Sequence, residues 1–214
     1  MTNFLINRPD GDPIAQFVFA HGAGAPMDAP FMNTIAEGIA SNGILVRRFE
    51  FPYMAKRRID GKRGGPGSPK VLLRTWRDII REINGDVPLF IGGKSMGGRI
   101  ASMVADESGV SGVICLGYPF HPPGKPEKLR TEHLESMPVP MLVIQGERDP
   151  FGRPEEVAGY DLDGSIEVVW MPDGDHSLKP RKKSGYSEEG NLESAIESAA
   201  NFAANHSCVE PGGG

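Results

Sequence analysis

The stretch "FIGGKSMGGR", residues 90–99, decides the fold. It supports two readings. Gly-Lys-Ser is the tail of a phosphate-cradling loop, whereas Gly-x-Ser-x-Gly is a sharp turn that presents a nucleophilic serine. A phosphate loop needs a glycine five residues before its Gly-Lys pair. That position is Pro88, which has no backbone N–H for a phosphate and cannot take positive φ. The serine turn has what it needs. An apolar run, "PLFIG" (88–92), precedes it, and a helical pattern with Ile100, Met103 and Val104 follows. A strained strand-to-helix turn leaves no room for Cβ atoms two residues either side of the nucleophile, and Gly93 and Gly97 stand at those places. The helix start also favours negative charge developing beside Ser95.

Outward from this turn, apolar runs alternate with helical patterns. The runs are "IAQFVFA" (14–20), "ILVRRFEF" (44–51), "PLFIG", "GVICLG" (112–117), "PMLVIQG" (140–146) and "IEVVWM" (166–171). Most are continuous in apolar residues, as strands buried on both faces of a parallel sheet must be. Residues 44–51 are broken by Arg47, Arg48 and Glu50, which places that strand nearer an edge. Met32, Ile35, Ala36 and Ile39 make one helix stripe. Ser68-Pro69 caps another, with Leu72, Trp76, Ile79 and Ile83 on its buried side and Gly85 as its stop. Leu192, Ile196, Ala199 and Ala203 mark a last helix. The pattern predicts an α/β fold: a doubly wound, mainly parallel sheet of about six to seven strands with helices on both faces. Residues 1–206 are expected to form one domain, with 207–214 as a flexible tail.

A serine hydroxyl becomes a nucleophile through a base, and the base needs an orienting carboxylate. In this type of sheet the chain order is Ser, acid, His. "VIQGERDPFG" puts Asp149 just past the strand 140–146, and "VWMPDGDHSL" puts His176 just past the strand 166–171. Both fall at carboxyl ends of strands, the edge where open α/β sheets bind ligands. Glu147, Asp173 and Asp175 compete with Asp149, but the last two crowd His176 and suit shaping its loop. An oxyanion hole needs two backbone N–H groups. Met96 supplies one and Ala23, beside Gly24 in "HGAGAP" (21–26), the other. Of the remaining histidines, His21 reads as structural, His133 lies in a short charged helix and His206 in a fraying end. His121 in "YPFHPPGK" reads as a pocket-rim residue.

Taken together, "HGAGAP", "GGKSMGGR", "LVIQGERDPFG" and "DGDHSLKPRK" resemble the α/β-hydrolase superfamily, near its small, lidless, dienelactone-hydrolase-like members and a little-characterised group of predicted bacterial hydrolases. The resemblance spans residues 14–204. It implies a serine hydrolase acting on an ester or related acyl bond through Ser95, Asp149 and His176. Dienelactone hydrolase uses a cysteine nucleophile where this chain has Ser95, so lactone-ring specificity does not carry over. No metal or organic cofactor is required. Only about twenty residues, Tyr118 to Met137, join the strands where related folds insert a lid, which leaves little room for one. The competing reading is a binding or scaffold protein with vestigial catalytic parts; retention of all three residues argues against it.

Charge and composition bound the rest. A net charge of −5 opposes non-specific nucleic-acid binding, and no apolar run approaches the length of a membrane span. Two cysteines, Cys115 and Cys208, make a disulfide scaffold or cysteine metal site a poor fit, so the cytoplasm is the default compartment. The N-terminus has no pattern of a secretory signal. Against the acidic total, Lys56, Arg57, Arg58, Lys62 and Arg63 cluster after one strand, and Lys179, Arg181, Lys182 and Lys183 after His176. With Lys94 in the serine turn, they suggest a basic rim that steers a small anionic acyl substrate, with Lys94, Arg57, Arg58, His121 and Lys179 as binding residues.

Overall fold

Two apolar faces on one strand require two layers of helix, and the central strands carry both. The computed structural model describes residues 2–62, 64–83, 85–107 and 109–207. In chain order the elements are β1 (Leu5–Asn7), β2 (Ala15–Ala20), α1 (Pro30–Ser41), β3 (Ile44–Phe49), α2 (Pro52–Asp60), α3 (Pro69–Glu82), β4 (Leu89–Lys94), α4 (Met96–Ser102), β5 (Val110–Leu116), β6 (Met141–Gly146), α5 (Pro154–Val157), β7 (Ile166–Met171) and α6 (Glu188–Asn205). In β2 the alternation is plain. Phe17 and Phe19 face the layer built by α1 and α6, while Val18 and Ala20 face that of α3 and α4. Met141 and Val143 against Leu142 and Ile144 repeat the sorting in β6. Trp76 of α3 is fully buried, its ring edge-on to Phe49 at 4.9 Å. Truncating such a side chain costs about 3–5 kcal/mol.

The sheet has seven strands in the order β1-β3-β2-β4-β5-β6-β7, all parallel except β1. This is the doubly wound, mainly parallel architecture that the sequence predicts. β3 lies one place in from the edge, since β1 pairs outside it with Leu5 opposite Arg48. The polar break in β3 has a structural use. Arg48 is buried and donates to the Met27 carbonyl at 2.8 Å and to Asn7 Oδ1 at 2.9 Å, tying β1 and the loop after β2 to the sheet.

Two local details differ from the expectation, and part of it falls on residues outside the description. The basic stretch after β3 is not a loop, because α2 carries Lys56, Arg57 and Arg58; Pro52 opens it and Gly61, at φ 68°, closes it. Arg63, Cys208 and the expected tail beyond residue 207 lie outside the described residues. Ser68 caps α3 as expected, accepting from Lys70 N at 3.3 Å, but the helix stops at Glu82. Ile83 already has extended backbone, so Gly85 is not its cap.

No lid covers the sheet's carboxyl edge. The described residues between β5 and β6 hold only a 3-10 turn, Glu132–Leu134, and bury Phe120 and Leu134 against the core instead. No helix among the described residues is long and apolar enough to cross a membrane. Strand order reverses direction between β2 and β4, so the loops after these two strands diverge and leave a crevice at their carboxyl ends.

Candidate active site

The crevice is built around a strained residue. Ser95 follows β4 with φ 51° and ψ −116° and directly precedes α4. Non-glycine residues rarely hold such a backbone. The strain persists because packing leaves no alternative. A Cβ on Gly93 would lie 2.5 Å from the Ala20 carbonyl oxygen, and one on Gly97 2.6 Å from that of His21. Ser95 N–H also donates to the Leu116 carbonyl at 3.0 Å. The turn therefore packs directly on β2 and β5, and its hydroxyl faces the crevice.

Two other strand ends converge there. His176, on the turn after β7, has Nε2 at 2.9 Å from Ser95 Oγ. Its Nδ1 lies 2.7 Å from Asp149 Oδ2, on the turn after β6. The Phe151 ring covers the imidazole, with centroids 4.3 Å apart. Asp149 has no exposed surface; Phe151 N–H donates to its Oδ1 at 2.9 Å and Gln145 Nε2 to its Oδ2 at 3.0 Å. The neighbouring acids shape the His176 loop. Asp175 Oδ1 accepts from Ser177 N at 2.8 Å, and Glu147 Oε2 from Asp173 N at 2.7 Å. Asp173 pairs with Arg181 and Arg148, and the Arg181 bonds hold its carboxyl down at about 2.

The loop after β2 lines the opposite wall. His21 is buried with Nδ1 at 2.6 Å from the Gly22 carbonyl, while Nε2 accepts from Phe51 N–H at 3.1 Å. That pairing requires the neutral ring with its proton on Nδ1. Burial lowers its pKa, which agrees. Tyr53 of α2 donates to the Ala23 carbonyl at 3.0 Å. The loop is thereby held beside Ser95, with Ala23 on the wall of a cleft of about 370 Å³. Met96 is the first residue of α4, where a helix leaves N–H groups without internal partners. The cleft is otherwise lined by Phe31, Met32, Phe151, Lys94, Ser95 and His176, among others. A larger cavity of about 560 Å³, lined by Glu50, Arg58 and Asp78, contains none of Ser95, Asp149 and His176.

The proposed basic rim fares differently. Arg58 is committed to Asp28 at 2.6 Å and to Glu50 at 2.7 Å, and Lys179 to Glu188 at 2.5 Å. Neither offers a free charge to a substrate. His121 is buried away from the cleft, with Nδ1 at 2.9 Å from the Pro122 carbonyl and Nε2 at 3.5 Å from Glu156; it is not a rim residue. Arg57 only reaches the Gly24 carbonyl at 3.5 Å, near the cleft mouth. Lys94 does line the cleft, but its ammonium donates to the main-chain carbonyl of His176. The sequence reading missed Gln145 and the role of Tyr53 in holding the loop, whereas His21 has the structural place expected of it. A glutamine closing the apolar run "MLVIQG" was the available signal for the first.

A seven-strand, mostly parallel sheet with a serine turn after β4 and no lid defines the α/β-hydrolase fold. The chain belongs to the alpha/beta hydrolase domain family, which matches it over residues 13–204. Among solved structures it is similar to dienelactone hydrolase from Anabaena variabilis, at 23% identity over 94% of this chain and 88% of that one, with a TM-score of 0.65. An α/β serine hydrolase without lid from Xanthomonas campestris is 20% identical over 92% and 87% of the two chains, with a TM-score of 0.63. Est1E from Butyrivibrio proteoclasticus, solved with ferulic acid bound, is 15% identical over 93% and 94%, with a TM-score of 0.63. At these identities the likeness establishes a common fold.

Proposed function

We propose that the protein is a serine hydrolase that cleaves an ester or related acyl bond of a small substrate. The observation that carries this reading is the unbroken hydrogen-bond chain from Ser95 Oγ through His176 to Asp149. Ser95 Oγ attacks the acyl carbon while His176 Nε2 takes its proton. Asp149 accepts from Nδ1, fixes the tautomer and stabilises the imidazolium that forms. The N–H groups of Met96 and Ala23 receive the oxyanion. His176 then returns the proton to the leaving oxygen, and the alcohol departs. A water, deprotonated by the same imidazole, attacks the acyl-enzyme and releases the acid.

The cleft supports a small substrate. Its volume of about 370 Å³ suits a compact acyl ester, and Phe31, Met32 and Phe151 make its walls apolar. Est1E, which shares the fold, binds ferulic acid, a small aromatic acid. With Arg58 and Lys179 paired, those two add little charge steering, and selection rests mainly on fit to these walls.

Fluorophosphonate labelling tests the reading. The folded protein is expected to label on Ser95, and Ser95→Ala to abolish both labelling and hydrolysis of short acyl and aryl esters. Folded protein that neither labels nor hydrolyses any of them would leave only the fold.

A further inference from the structure

The lysine that precedes the nucleophile does something other than decorate the rim. Lys94 ends β4, and its Nζ donates to the main-chain carbonyl of His176, a residue 82 positions later. The path is kept open by a missing side chain. Gly117, the residue after β5, sits at φ 69°, and a Cβ there would lie 2.6 Å from Lys94 Nζ and 2.9 Å from the His176 carbonyl oxygen. Phe31 of α1 lies on another side, its ring centroid 5.6 Å from the ammonium. A partly buried cation that runs between two strand ends to one backbone oxygen is costly unless paired. Here the pairing falls on the residue carrying the imidazole.

We propose that Lys94 is a positioning residue: its charged ammonium clamps the His176 carbonyl and so holds the imidazole on Ser95. The inference rests on the reading of Ser95 as nucleophile and His176 as base. A charge-assisted N–H···O bond is roughly twice as strong as a neutral one. The clamp therefore depends on the proton of Lys94. Burial pulls this ammonium's pKa down to about 8, opposed by the charges of Asp149 and Asp175. Those two acids and His176 are the titratable groups that face it from the turns after β6 and β7. From the loop after β2, α1 and the end of β5 come Gly22, Phe31 and Gly117, none of them charged. A folded pKa below the ordinary lysine value means that the charged form predominates at neutral pH and is lost as pH rises through about 8.

The test is the rate of fluorophosphonate labelling from pH 6.5 to 9.5, for wild type and Lys94→Met, with kcat and KM for a neutral ester measured alongside. A serine and imidazole alone give a rate that levels off above neutrality. The clamp predicts that the wild-type rate falls roughly fivefold or more above pH 8. Lys94→Met should lose about 10- to 100-fold in kcat with KM within about twofold, and should lack the alkaline fall. A wild-type rate flat to pH 9.5 overturns the clamp even if the variant does not fold. So does a folded Lys94→Met variant with wild-type kcat, or one that keeps the alkaline fall. Wild-type protein that never labels at any pH removes the hydrolase reading, and the clamp with it, whereas labelling without the alkaline fall removes the clamp alone.

Discussion

Gln145 Nε2 lies 3.0 Å from Asp149 Oδ2, and the same side chain also grips Tyr118. Its Oε1 accepts from Tyr118 N–H at 2.7 Å, and Nε2 donates to the Tyr118 carbonyl at 3.1 Å and the Gly152 carbonyl at 3.2 Å. One buried amide therefore binds the turn that carries Asp149 to the loop after β5. Gln145→Leu fills a similar volume but strands these groups, each costing about 1–3 kcal/mol when buried and unpaired. Thermal melting should register a clear loss of stability. In steady-state assays kcat should fall about tenfold with KM within about twofold, because Asp149 loses one of its two positioning donors. Unaltered kcat in a folded variant would show that Asp149 needs no such support.

The serine turn predicts a steric test. Gly97→Ala brings a methyl to 2.6 Å from the His21 carbonyl oxygen, and that oxygen is backbone that cannot swing away. Overpacking of this kind costs about 1–3 kcal/mol. The variant should melt several degrees lower and lose at least about 90% of its labelling rate, since Ser95 must shift to relieve the contact. Gly164→Ala, where a Cβ meets nothing within 4 Å, is the control and should behave as wild type.

Arg58 offers a test of charge steering. Its guanidinium joins Asp28 to Glu50, and Glu50 keeps only 6% of its side chain exposed. Arg58→Glu should therefore cost stability, about 1–3 kcal/mol once the arginine's own exposure is allowed for. It should change kcat/KM for neutral and anionic esters by the same factor, within about twofold. A selective rise in KM for the anionic ester would restore a steering role.

Stability in mild acid should depend on His133. Its Nε2 shares a hydrogen bond with Ser102 Oγ at 2.9 Å, and burial, helped by Arg99, lowers its pKa to about 4. The unfolded chain binds this proton near pH 6.5, so it carries more protons than the native state between there and about 4. Stability accordingly falls as pH drops through that window. The loss is about 1–2 kcal/mol after discounting for partial exposure. His133→Gln should flatten the difference between melts at pH 7 and pH 4.5. An identical pH dependence in the variant would assign the effect to other groups.

How far the chain could be read depends on the range over which each feature is encoded. Six strands were legible because their runs are mostly apolar, the central ones on both faces. β1 was not, since three residues, two of them exposed, gain their register only from β3. α2 was hidden by its charges, although Pro52 and Gly61 frame it. The positions of Ser95, Asp149 and His176 at strand ends were legible as an order along the chain. Their distances were not, and neither was Gln145, whose partners come from the loop after β5 and the turn after β6.

By itself the sequence determined the strand-and-helix alternation and the sharp turn at Ser95. Both follow from sterics and apolar spacing within about ten residues. Only the tertiary structure decided which charges are spent and which remain. Arg58 meets Asp28 across 30 residues, Lys94 meets His176 across 82, and His121 turns inward rather than to the cleft. An ionic or polar side chain takes whatever partner folding brings within hydrogen-bond reach, and that partner is set by the packing of the sheet, not by its neighbours in the chain.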